Sequence, residues 1–179
     1  MTGKQRSRKR RWGARALAIV LLMAAGAAGG YLAGRTIHAV SDSGDPLETV
    51  VWLVAIVALM VVAYFVQIIV HEAGHLVFGL ATGYRFRSFR VGSFMFVEQG
   101  DRLRLKRLSL QGTGGQCLMG PPDFVDGRMP YRLYNLGGVL ANMLVALIAA
   151  AFFFVLQTGL AATFLAFVAL FGLAFALAN

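Results

Sequence analysis

The chain has 179 residues, 58% of them hydrophobic and 14% charged, with a formal net charge of +9. So apolar a chain of this size is not an ordinary soluble domain. Nor does the charge mark a nucleic-acid binder: seven Lys/Arg lie between Lys4 and Arg15, nine between Arg85 and Arg132, Arg35 stands alone, and 16–34, 49–84 and 133–179 hold none.

Basic residues confined to loops between apolar blocks follow the positive-inside pattern of membrane proteins. The natural neighbours of such loops are anionic headgroups. The lipid bilayer is therefore an expected partner, and nucleic acid is not. The predicted fold class is an all-α polytopic membrane protein with about four transmembrane helices and a small β-hairpin insert. The single cysteine, Cys117, cannot form an intramolecular disulfide, and it does not identify a redox compartment.

In chain order, residues 1–15 read as a basic cytoplasmic tail. The apolar block 16–34 is long enough to span a bilayer, and no convincing small-x-small cleavage site follows it. A retained helix is therefore preferred to a signal peptide. Gly26, Gly30 and Gly34 recur every four residues. That spacing suits close helix approach, although glycine is also simply common in membrane helices. Residues 35–48 form an external polar loop containing Pro46, and His38 lies there alone.

The second block is assigned to 49–82, and its stretch from Thr49 to about Leu80 alone would be about 48 Å long as one helix, against a hydrocarbon core of about 30 Å. It must tilt, bend or protrude, and Gly83 marks its end. Residues 84–110 alternate apolar and basic positions with strand period. They read as a hairpin turning at "EQGD", with slips of phase near Ser88 and Arg107 that suggest bulges. Its apolar face would meet lipid or helices, and its basic face water or headgroups. Residues 111–130 read as a Gly/Pro loop, which completes a cytoplasmic-side insert over 83–132. Blocks 133–156 and 158–179 follow as the third and fourth helices, parted by Gln157-Thr158-Gly159. Alternating the four spans from a cytoplasmic N-terminus puts both basic segments on the cytoplasmic side.

The second block contains "FVQIIVHEAGHLVFGLATG", in which His71, Glu72 and His75 form H-E-x-x-H. Residues four apart share a helix face, so both imidazoles can bind one Zn²⁺. Such an ion brings a water's pKa to about 7 and polarises a carbonyl. Glu72 lies within one turn of both and can act as general base. Ionisable groups cost roughly 2.5–3.5 kcal/mol each at a membrane helix centre, which favours a functional reading of this cluster. The structural alternative is a polar cluster that holds helices together. Cys117 in the following loop reads as a plain thiol rather than a ligand.

H-E-x-x-H on a membrane helix followed by further spans resembles the site-2 protease family of intramembrane zinc metalloproteases. Gly138 and Asn142, in "NLGGVLANML", match that family's G-x-x-x-N motif in the next helix. The family's β-rich element after the catalytic helix corresponds to 84–110. The resemblance covers about 50–179. It implies a zinc endopeptidase that cleaves in or near transmembrane segments of other membrane proteins, as in regulated intramembrane proteolysis. It implies Glu72 as the catalytic base, His71 and His75 as metal ligands, and Gly138 and Asn142 at the substrate. The setting would be the cell membrane, with the site toward the cytoplasm.

One departure stands out. The family's third zinc ligand is an Asp in an N-x-x-P…D-G context, and no such Asp occurs here. The expectation is a fragment whose ligand follows Asn179. Asp101, Asp123 and Asp126 are in-chain candidates that no spacing favours. The competing readings are a non-catalytic protease-like scaffold and a metal-ion carrier.

Overall fold

The computed structural model describes residues 27, 30, 31, 34–36, 38, 45–100, 102–110, 113–122 and 131–178. Helix α1 covers Pro46–Ala81. Its start is set by local chemistry. The Asp45 side chain accepts the Leu47 N–H at 2.9 Å, Pro46 opens the first turn, and Glu48 complements the positive end of the helix dipole. Its end is set by glycine: Gly83 adopts φ +84°, and the Tyr84 N–H returns to the Gly79 carbonyl at 2.9 Å. Thirty-six residues make a rod of about 54 Å.

Helix α2 (Tyr131–Leu156) and helix α3 (Gly159–Ala178) form an antiparallel hairpin. Its tight connection puts Gln157 at φ 59° and Gly159 at φ +91°. All three helices are long and apolar enough to cross a membrane, with mean hydropathies of 2.9, 2.7 and 2.5. Only 22%, 17% and 44% of their most apolar stretches are covered by protein, so most of that surface needs lipid as its solvent. The helices meet through small residues. Ala63, Ala149 and Ala169 pack with Ile56, Phe167 and Val168 in the core, as expected where close backbone approach replaces a hydrophobic drive. The expected fourth span, 16–34, lies almost wholly outside the described residues.

Between α1 and α2 lies an antiparallel sheet of β1 (Arg85–Val91), β2 (Phe94–Gln99), β3 (Arg102–Arg107) and β4 (Gly115–Gly120), in the order β3-β2-β1-β4. Two corrections follow. The insert is a four-stranded sheet rather than a hairpin, and the expected Gly/Pro loop contains an edge strand. β4 escapes a propensity reading because its sequence, "GQCLMG", opens on Gly115, where Glu72 and Ile68 leave no room for a side chain. The turn at "EQGD" is present, with Gln99 opposite Arg102 and Gly100 at φ +60°. The phase slip near Ser88 is a bulge between Phe86 and Ser88 against β4. Near Arg107 the strand simply ends.

Candidate active site

Glycines decide how α1 reaches α2. A Cβ on Gly74 would overlap the Gly137 carbonyl, and one on Gly137 would come within 2.5 Å of the Gly74 oxygen. At this crossing the backbones touch. One residue further along, a Cβ on Gly138 would lie 2.5–2.7 Å from three ring atoms of His71. Gly138 is thus the floor on which the His71 imidazole rests.

His71 and His75 stand one turn apart with their rings edge to face, centroids 4.8 Å apart, and their Nε2 atoms 3.2 Å apart. The outer nitrogens are both engaged by α2. His75 Nδ1–H donates to the Tyr134 carbonyl at 2.8 Å, and the Asn142 amide nitrogen lies 3.2 Å from His71 Nδ1. The bond to a carbonyl assigns the His75 proton to Nδ1 and leaves its Nε2 lone pair turned inward. As placed, the Asn142 amide donates to His71 Nδ1. His71 Nε2–H then donates to His75, which closes a chain of hydrogen bonds.

Asn142 is fully buried, and its Oδ1 has no partner. Turning the amide over would set Oδ1 against a protonated His71 Nδ1. That leaves both Nε2 lone pairs free and converging, the arrangement two imidazole ligands need to share one cation. The donor set therefore fits two of the three protein positions of a catalytic zinc site. No third His, Cys, Asp or Glu joins them among the described residues.

Glu72 faces away from this crossing, toward the sheet. A Cβ on Gly115 would fall 2.7 Å from its Cγ and Oε1, so β4 lies directly on the carboxylate. The Cys117 backbone amide and the Arg90 guanidinium are close enough to act on it electrostatically. His71 and Glu72 line a cavity of about 240 Å³ with Tyr64, Ile68, Gly114, Gly115, Phe175 and Ala178. Helices α1 and α3 and the edge of β4 contribute to it.

Three side chains that sequence reasoning did not single out support the site. Tyr134 stacks on Tyr84 at 4.7 Å and donates its hydroxyl to the Cys117 carbonyl at 3.1 Å, while its own carbonyl orients His75. Residues 134, 138 and 142 recur every four positions, and that spacing was the available signal. Arg90 is 1% exposed. Its guanidinium donates to the carbonyls of Gly92, Thr113 and Gly115 and to the Thr113 hydroxyl, which clamps the strap that forms the cavity wall. Gln67, fully buried one turn before His71, ties α1 to α3 by donating to the Val168 carbonyl at 2.7 Å.

Cys117 is buried, and burial with the nearby Glu72 charge pushes its thiol up to about 11. A thiol so disposed stays protonated and is a poor ligand at neutral pH. His38 is exposed. Asp101, Asp123, Asp126 and Asn179 lie outside the described residues. Comparison with protein-family models, curated proteins and solved structures finds no match to this chain.

Proposed function

We propose that this chain carries the catalytic core of a zinc-dependent intramembrane endopeptidase, as its resemblance to site-2 proteases implies. The observation that carries the reading is the converging pair of Nε2 atoms of His71 and His75, with both Nδ1 atoms engaged and Glu72 beside them on the cavity. His71 and His75 would hold zinc as two of its protein ligands. The ion supplies a Lewis acid for the scissile carbonyl.

The remaining steps belong to the chain's own residues. Glu72 takes a proton from the attacking water and returns it to the leaving amine. Tyr134 and Asn142 hold the imidazoles in orientation. Gly138 admits the His71 ring, and Asn142 anchors it. β4 is an edge strand whose neighbouring Gly114–Gly115 backbone lines the cavity. An extended substrate segment adding to that edge would bring its peptide bonds past Glu72. The site would lie toward the cytoplasmic face of the cell membrane, with a membrane protein as substrate.

The test uses full-length protein with zinc content and cleavage of single-span reporter proteins measured in the same preparation. Glu72→Gln keeps shape and removes the base. It should retain zinc and lose about 10²–10⁴-fold in rate. His71→Ala should lose both zinc and cleavage. A Glu72→Gln protein that cleaves at the wild-type rate would remove Glu72 from its role. A wild-type protein that holds zinc and cleaves no membrane reporter would favour a scaffold or metal-ion carrier.

A further inference from the structure

The β2–β3 hairpin has two chemically opposite faces, and the register identifies them. Phe96 pairs with Leu105, Glu98 with Leu103 and Phe94 with Arg107, so these six side chains share one face. On the other face Met95 pairs with Lys106, Val97 with Arg104 and Gln99 with Arg102. Phe89 pairs with both Phe96 and Cys117 and so belongs to the first face.

That first face is the one the sheet lays on the helices. Along β4 it comprises Gly115, Cys117 and Met119, with Gly115 against Glu72 and the Met119 sulfur against Gly79. The β2–β3 hairpin continues the same face past the point where helices cover it. There Phe94, Phe96, Leu103 and Leu105 are 56%, 48%, 66% and 59% exposed. The inner part of the sheet reaches α1 between Ile68 and Gly79, through Gly114, Gly115 and Met119, and the hairpin projects beyond it. Four large apolar side chains thus lie bare on a hairpin that no described helix covers. The one carboxylate on that face, Glu98, is paired with Arg87 at 3.3 Å. Arg107 lies over the Phe94 ring at 5.7 Å, as a cation does at an interface.

The geometry points to an anionic phospholipid bilayer as the occupant of this hairpin: Phe94, Phe96, Leu103 and Leu105 enter the acyl region of the leaflet at the Ala81 end of α1, and Arg102, Arg104 and Lys106 bind anionic headgroups. Charge selects the lipid. Among the described residues the outer face of the hairpin offers three cations and no carboxylate, which draws it to phosphatidylglycerol-like headgroups over zwitterionic ones. Because β2 is hydrogen-bonded to β1, and β1 to β4 on the cavity wall, lipid composition sets the seating of that wall. This inference stands on the sheet alone and does not depend on the metal or on hydrolysis.

The experiment reconstitutes the full chain, with Trp12→Phe and Trp52→Phe, into vesicles of phosphatidylcholine alone or mixed 1:1 with phosphatidylglycerol. A Phe96→Trp probe reports the apolar face and a Gln99→Trp probe the opposite one. Acyl-brominated lipid should quench the Phe96→Trp probe strongly and the Gln99→Trp probe weakly. Quenching of the former should rise roughly twofold in the anionic vesicles. The rise should vanish in Arg102→Gln/Arg104→Gln/Lys106→Gln and shrink in Arg104→Gln alone, which guards against misfolding of the triple variant. No acyl quenching of the Phe96→Trp probe in either lipid would overturn the proposal and mean that protein covers the face. Quenching equal in both lipids would overturn the selection of anionic headgroups.

Discussion

The α1–α2 crossing and the β2–β3 hairpin are built on opposite rules. At the crossing, side chains have been removed so that backbones touch, and the polar groups that enter find their partners inside the protein: His75 on the Tyr134 carbonyl, His71 on Asn142. In the hairpin, side chains are large, exposed and two-faced, and no described helix packs on them. A single added methyl should therefore be felt very differently in the two places.

Gly138→Ala should show the largest effect. Its methyl would meet three atoms of a rigid ring backed by α1, so either the His71 ring or the helix must move. A loss of about 1–3 kcal/mol is expected from overpacking, together with loss of bound zinc, read by denaturant titration and elemental analysis. Gly100→Ala in the hairpin turn meets no atom within 4 Å and bears only its φ of +60°. That costs about 1–2 kcal/mol at most, with zinc unchanged. Equal zinc loss in both variants would erase the distinction between the regions.

Asn142→Leu comes next. It keeps an apolar volume but strands His71 Nδ1 without a partner, and a buried polar group left unmet costs about 1–3 kcal/mol. Its sharper readout is metal affinity, expected to fall about 10–100-fold as for other groups that orient a ligand. Unchanged affinity would mean that the Asn142 contact does not hold His71 for the ion.

The smallest effect concerns Cys117, which sits where the two regions join. Its thiol is pushed up to about 11, first by burial and then by the Glu72 charge. Alkylation by iodoacetamide in the folded protein should therefore be slow at neutral pH and still climbing at pH 10. The stability linked to this group is full below the ordinary thiol range and is lost as pH rises toward 11, because the unfolded chain releases its proton first. Glu72→Gln removes the nearby charge and should speed alkylation at a given pH. An alkylation rate that levels off near pH 8.5 would show an ordinary thiol.

Legibility divided along similar lines. The apolar blocks, the helical hairpin at Gln157–Gly159 and the turn at Gly100 were readable because each rests on local chemistry, either hydropathy or a required positive φ; the helix expected from 49 begins instead at Pro46, where the Asp45 cap starts it. H-E-x-x-H was readable because helix period alone puts His71 and His75 on one face. β4 was not, since Gly115 is there to make room for Glu72, a residue 43 positions earlier, and no local rule encodes that. Tyr134, Arg90 and Gln67 were missed for the same reason: their partners are the Cys117 carbonyl, the Thr113–Gly115 strap and the Val168 carbonyl, each brought near only by folding.

By itself, then, the sequence determined the long apolar helices and the one helix face that His71 and His75 share, because both follow from composition and from spacing along one helix. Only the tertiary structure decided what those side chains face. The α2 backbone and Asn142 turn the two imidazoles toward each other, and an edge strand lies across Glu72 to form a cavity wall. Those placements depend on the glycine contacts of α1 with α2 and β4, where the absence of a side chain acts through a neighbour far away in sequence.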